Sequence, residues 1–171
     1  MANLLVASYL LSFAGLASAQ SSVTLYGLIS TAIAYANNQK GGSSWFVANG
    51  PMQPPRFGLK GTEDLGGGLH AIFTLESGFS ITNGSLSQGG RMFGRQAFVG
   101  LSSDRIGTIT VGRQYDLGAA TLCAYESACQ FAAYGTHIGD NDNVFNTFRV
   151  NNAVIFVQFL MSRGHVRRSA Q

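Results

Sequence analysis

In 171 residues the sequence carries only 11% charged side chains, a net charge of +3 and 22 glycines, whereas an ordinary soluble domain has about 25% charged residues. Three of the 11 Lys and Arg, namely Arg163, Arg167 and Arg168, crowd into the last nine residues, and the other eight balance the eight acids; the basic excess belongs to the tail, and no nucleic-acid footprint is read from it. No apolar run in the body of the chain reaches the roughly 18 residues of a membrane helix, which leaves an all-β chain with apolar surface.

The first 19 residues, MANLLVASYLLSFAGLASA, read as an export signal. An apolar stretch from Leu4 to Leu16 precedes Ala17-Ser18-Ala19, a small-x-small cleavage site, so the mature chain is expected to start at Gln20. The usual Lys or Arg behind Met1 is absent. The competing reading is a short buried helix.

Residues 23–35 (VTLYGLISTAIAY) form the first expected strand, with Val23, Leu25, Ile29 and Ile33 on one face. A polar loop rich in Gly, Ser, Asn and Pro is expected over 36–55. Residues 56–79 (RFGLKGTEDLGGGLHAIFTLESGF) then read as two alternating strands about a tight turn at 63–68. In the first, Phe57 and Leu59 oppose Arg56 and Lys60; in the second, Leu69, Ala71, Phe73 and Leu75 oppose His70, Thr74 and Glu76. A loop at 80–92, a strand at 93–102, a short turn at 103–107 and a strand at 108–115 follow. A long loop at 116–147 leads to a sixth segment near 148–159.

Connections that alternate between long and short point to an outer-membrane barrel, with short turns toward the periplasm and long loops outside. The alternation has the same origin: lipid-facing positions must be apolar and lumen-facing ones can be charged. A sheet also gives every backbone N–H and C=O in hydrocarbon a partner. Tyr26, Tyr35, Phe79, Phe93 and Tyr115, near strand ends, suit either interfacial girdles or packing.

SSVTLYGLI, RFGLKGTEDLGGGLHAIFTLESGF, FGRQAFVGLSS and TITVGRQYD, four motifs in order between residues 21 and 152, closely resemble the general porins of Gram-negative bacteria, particularly those of beta-proteobacteria. The resemblance implies an antiparallel transmembrane β-barrel of the porin type, about 16 strands in the whole barrel. It also implies an outer-membrane homotrimer, in contact with lipid bilayer and lipopolysaccharide, through which ions and small hydrophilic solutes diffuse passively. In such porins an inward-folded third loop presents carboxylates to a ladder of basic residues on the wall. Carried onto this chain, the basic wall is Arg56, Lys60, Arg95 and Arg149, and the constriction loop, 116–147, offers Asp116, Glu126, Asp140 and Asp142. The facing is clear for Arg56 and Lys60 but weaker for Arg95, which shares parity with Ala97, Val99 and Leu101. Arg113 shares parity with Ile109 and Val111 and is left out.

His70, His137 and His165 lack metal-ligand spacing, and no H-E-x-x-H, G-x-S-x-G or P-loop pattern occurs; neither a catalytic site nor a cofactor is expected. Cys123 and Cys129 lie in the long loop of an exported chain, where a disulfide between them is one of two readings left open. Asn83-Gly84-Ser85 matches a glycosylation sequon and is expected to be a turn.

The expected organisation is a signal at 1–19, the N-terminal part of a barrel at 20–159 and a divergent basic tail at 160–171. About ten residues for each of about 16 strands needs about 160 in strands alone, so the chain is expected to supply only about the first six strands, with the reading frame altered from about residue 154. Two other classes stay open: a small outer-membrane barrel of about eight strands with a structural or adhesive role, and a periplasmic β-sandwich, whose outward faces should be polar.

Overall fold

The structure, a computed structural model, describes residues 22–122 and 148–158. The signal segment, Glu126, Asp140, Asp142, both cysteines and the basic tail lie outside the described residues. β1 (Ser22–Leu28), β4 (Arg56–Gly66), β5 (Leu69–Gly78), β6 (Gln96–Ser103), β7 (Gly107–Tyr115) and β8 (Arg149–Gln158) form one six-stranded sheet in the order β1-β4-β5-β6-β7-β8, antiparallel throughout. β2 (Thr31–Gln39) and β3 (Gly42–Asn49) form a separate two-stranded sheet.

The first expected strand is therefore corrected. It is broken at residues 29–30, and the segment expected as a loop contains the end of β2 and all of β3. Lys40 and Gly41, between them, both take positive φ (53° and 85°), the requirement of a tight primed hairpin turn. β1 with β2 is one arm of a long hairpin and β3 with β4 the other. Residues 29–30 on the first arm face the longer stretch 50–55 on the second, and the mismatch is stitched where the amides of Gly50 and Met52 donate to the carbonyl (2.9 Å) and hydroxyl (3.4 Å) of Ser30. Two other boundaries move: β4 runs on to Gly66, and β6 starts at Gln96 rather than 93.

Register converts alternation into two faces. Val23, Gly61, Phe73, Val99, Val111 and Val154 form one row across all six strands. The adjacent row, on the other face, begins Thr24, Lys60, Thr74. No described helix is long and apolar enough to cross a membrane. Among the described residues nothing covers the apolar face: Leu25 is 72% exposed, Val99 62% and Val154 67%. Conversely, the buried hydrophobic residues among those described are only Ala48 and Ala119, while Glu76, Arg95, Thr110 and Gln114 are buried. This inverts the usual globular distribution, in which ionised side chains are almost never fully buried. Pairing of β8 with β7 continues through Val154, Phe156 and Gln158, beyond the point where the sequence expectation placed an altered frame.

Candidate functional site

The long connections leave from one end of the sheet, and a cluster of charged residues on its polar face gathers there. Tyr26, Gly58, Glu76 and Gln96 stand opposite one another on β1, β4, β5 and β6. The Tyr26 ring lies across Gly58, where an added Cβ would come within 2.8 Å of the ring's Cζ and hydroxyl. Glycine thus lets the phenol reach past one strand to donate to Glu76 Oε2 at 2.9 Å.

Arg95 takes the second carboxylate oxygen. Its amide donates to the Glu76 carbonyl at 3.0 Å while Gln96 is the Cα partner of Glu76, so two residues of one strand face one of the next, as in a β-bulge. The irregularity frees Arg95 from the parity of Ala97 and Val99. Its Nε donates to Glu76 Oε1 at 2.5 Å and its Nη2 to the Tyr115 hydroxyl at 2.6 Å. Arg149 Nη2 donates to the same hydroxyl at 3.2 Å, with the guanidinium 4.7 Å from the Tyr115 ring centroid. A second register shift, between Gly112 and Gln114, separates this end of β7 and β8 from the regular alternation.

Arg56 opens β4, and its Nη2 donates to Gln53 Oε1. The Nε atoms of Arg56 and Arg149 are buried without a hydrogen-bond partner among the described residues. Lys60, on the same face as Gly58, holds its ammonium 5.6 Å from the Tyr26 ring centroid. The structure thus gathers Arg56, Lys60, Arg95 and Arg149 around Tyr26 and Tyr115 with Glu76 as the carboxylate bound among them. An isolated buried charge is costly, and the Glu76–Arg95 pair, with side chains 6% and 5% exposed, meets that cost by mutual hydrogen bonding.

Asp116 has a different setting. Its Oδ1 accepts the Ala119 amide at 2.6 Å and caps α1 (Leu117–Leu122), as a helix N-cap does. Its own amide donates to the Phe148 carbonyl at 3.2 Å, closing the base of the long connection. Arg113 lies opposite Ala97, with Nε donating to the Gly94 carbonyl at 2.8 Å and Nη1 to Asn151 at 2.5 Å. At the opposite end of the sheet His70 sits between Asp64 (3.8 Å) and Asp104 (3.6 Å). Among the described residues no group of His, Cys, Asp and Glu could hold a metal ion.

Sequence reasoning missed Glu76, Tyr26 and Tyr115 as members of this cluster. A signal for Glu76 was present, since it stands opposite Phe73 and Leu75 in parity; Tyr26 likewise falls off the face of Val23 and Leu25.

Comparison with known proteins agrees with this architecture. A family model for Gram-negative porins matches residues 5–161. An outer membrane porin protein of Bordetella pertussis is 41% identical over 90% of this chain and 43% of its own length; outer membrane porin protein 32 of Delftia acidovorans is 39% identical over 74% of this chain and 35% of its own. Among solved structures, an anion-selective porin from Comamonas acidovorans superposes with a TM-score of 0.63 at 31% identity, over 80% of this chain and 42% of that one. The chain therefore spans less than half the length of these relatives. With a family match over most of its length, and a sheet apolar on one face and charged on the other, the chain belongs to the Gram-negative porin family of the outer membrane, and its six-stranded sheet is barrel wall.

Proposed function

We propose that the polar face of this sheet lines a water-filled channel for passive diffusion of ions and small hydrophilic solutes, with no catalytic step, and that the cluster at its long-loop end sets an anion preference. The observation that carries the reading is the make-up of that cluster among the described residues: four cationic side chains, Arg56, Lys60, Arg95 and Arg149, gather around the carboxylate of Glu76. Arg95 is neutralised by Glu76, which leaves Arg56, Lys60 and Arg149 to set the local field. Rings of basic side chains select anions in this way. The solved relative is itself described as anion-selective, which favours the same sign here.

Within this reading Glu126, Asp140 and Asp142 stand across the lumen from the basic wall and set a transverse field with it, the anion path running along the wall; residues 1–19 direct export, and the barrel assembles as a homotrimer among phospholipid and lipopolysaccharide. The test is the reversal potential of the porin carrying these strands, reconstituted in a planar bilayer under a KCl gradient. Anion-side reversal that moves toward zero in R56Q/R149Q is expected. Cation-side reversal, or a potential indifferent to both arginines, overturns the assignment.

A further inference from the structure

Tyr115 and Arg149 are Cα partners on the last rung of the β7–β8 ladder, where the chain turns away into the long connection. Just beyond this rung the Asp116 amide donates to the Phe148 carbonyl at 3.2 Å, and Phe148 holds a positive φ of 36°, so the backbone carrying both side chains is tied down. Cross-strand partners on one face lie close enough to touch, and these two meet twice. The Arg149 guanidinium lies 4.7 Å from the Tyr115 ring centroid, and its Nη2 donates to the Tyr115 hydroxyl at 3.2 Å. A guanidinium within about 6 Å of an aromatic face is held there by the ring quadrupole. Among the described residues the Arg149 Nε is buried without a hydrogen-bond partner, and the ring and hydroxyl of Tyr115 are the groups that hold the head.

Arg95 uses the same hydroxyl differently. Its Nη2 donates there at 2.6 Å, but its Nε is already bound to Glu76 at 2.5 Å in a buried ion pair. Arg95 is therefore anchored and neutralised by Glu76 whether or not the phenol is present. Arg149 is different, because its seat is the tyrosine. A long cationic side chain facing an aqueous lumen otherwise spreads over many rotamers, and its pull on a passing anion falls as its distance grows. With both guanidinium groups meeting at one oxygen, the mobile one is held against a hub that does not move.

We propose that Tyr115 is a positioning residue for anion selection: its ring and hydroxyl hold the Arg149 guanidinium at one place on the channel wall, beside the neutralised Glu76–Arg95 pair. The proposal rests on the reading that this face lines an anion-preferring channel. Tyr115 adds no charge of its own; it sets where an existing charge stands and how far it wanders, so removing it alters the field without altering the number of cations.

Single-channel recording of the porin in planar bilayers under a KCl gradient tests this, since the reversal potential reports the mean field and the open-channel current noise reports movement of the charge. Y115F keeps the ring and deletes the acceptor, whereas Y115L deletes both. Anion-side reversal should shrink in the order parent, Y115F, Y115L, and the noise should rise in the same order. In an R149Q background both substitutions should change neither quantity, because the side chain they release carries no charge; this is the double-mutant cycle that isolates the pair. Y35F, in the separate hairpin, should match the parent. Recordings come from inserted channels, so a tyrosine needed merely for folding would lower the yield of channels without moving either reading, and if Y115L fails to insert, the Y115F cycle decides alone. Unchanged reversal and noise in Y115F, or a Y115F effect that survives R149Q, overturns the proposal. A parent channel that reverses on the cation side sinks the anion-preferring reading instead, while the dependence of the noise on R149Q still reports whether Tyr115 holds Arg149.

Discussion

The Tyr26 hydroxyl reaches Glu76, 50 residues away in sequence, across the bare Cα of Gly58. One glycine therefore determines whether two strands that are not neighbours share a hydrogen bond. Removing the hydroxyl in Y26F deletes a bond to a charged group, worth about 1.5–3 kcal/mol, whereas G58A drives a methyl into the ring and removes the bond by displacement. Both should lower the urea midpoint of the refolded porin, and G58A/Y26F should cost no less than G58A alone because the phenol ring itself is in the way. A G58A protein as stable as the parent contradicts this packing.

A sharper asymmetry concerns Glu76 and Arg95. Removing one partner of a buried pair costs about 3–5 kcal/mol because the other charge is left uncompensated, while replacing both with apolar residues is often nearly neutral. E76Q should therefore destabilise the barrel more than E76L/R95M does, a reversal of simple additivity that a double-mutant cycle measures. The anion preference should persist in the double variant, since Arg56, Lys60 and Arg149 remain.

How much of this was legible in the sequence depended on regularity. Lys60 is readable because Phe57 and Leu59 take the other side of an unbroken strand, and the register sets Lys60 opposite Thr74. Arg95 is not readable by parity: the bulge at Glu76 and the register shift near Gln114 are events of pairing, which one strand's sequence does not contain. The Tyr26–Gly58–Glu76 row is equally hidden, for it exists only once three strands are aligned, so an aromatic near a strand end reads as well for a girdle as for a lumen. β3 was missed because Ser43, Ser44 and Asn49 give its ends the composition of a loop; Trp45-Phe46-Val47 was the signal within it.

Asp116 distinguishes a cap from a constriction acid. Replacing an N-cap Asp by Ala costs about 1 kcal/mol, and Asn retains most of its effect. D116A should accelerate amide exchange in α1, and D116N should restore protection while still lacking the charge. If Asp116 instead supplies field to the pore, both variants shift the reversal potential equally and D116N rescues nothing. The 2.6 Å bond to the Ala119 amide favours rescue.

The hairpin of β2 and β3 should behave as a separate unit. A two-stranded hairpin is marginal by itself, and this one adds the Tyr35–Trp45 ring pair, 5.0 Å between centroids, to its ladder. Such a pair is worth about 0.5–1.5 kcal/mol beyond area burial. Gly41 holds φ at +85°, where a β-branched residue is strained by about 1–3 kcal/mol. That strain is comparable with everything the ring pair contributes, so G41V should open the hairpin rather than bend it. Amide exchange in 31–49 should then rise to the rate of an unstructured chain, while protection in β4 and β5 holds, because the hairpin shares no ladder with the larger sheet and meets it only at the Ser30 break and through the Ile81 amide, which donates to Asn49 Oδ1, among the described residues. Equal loss of protection in both sheets would show one cooperative unit in place of two.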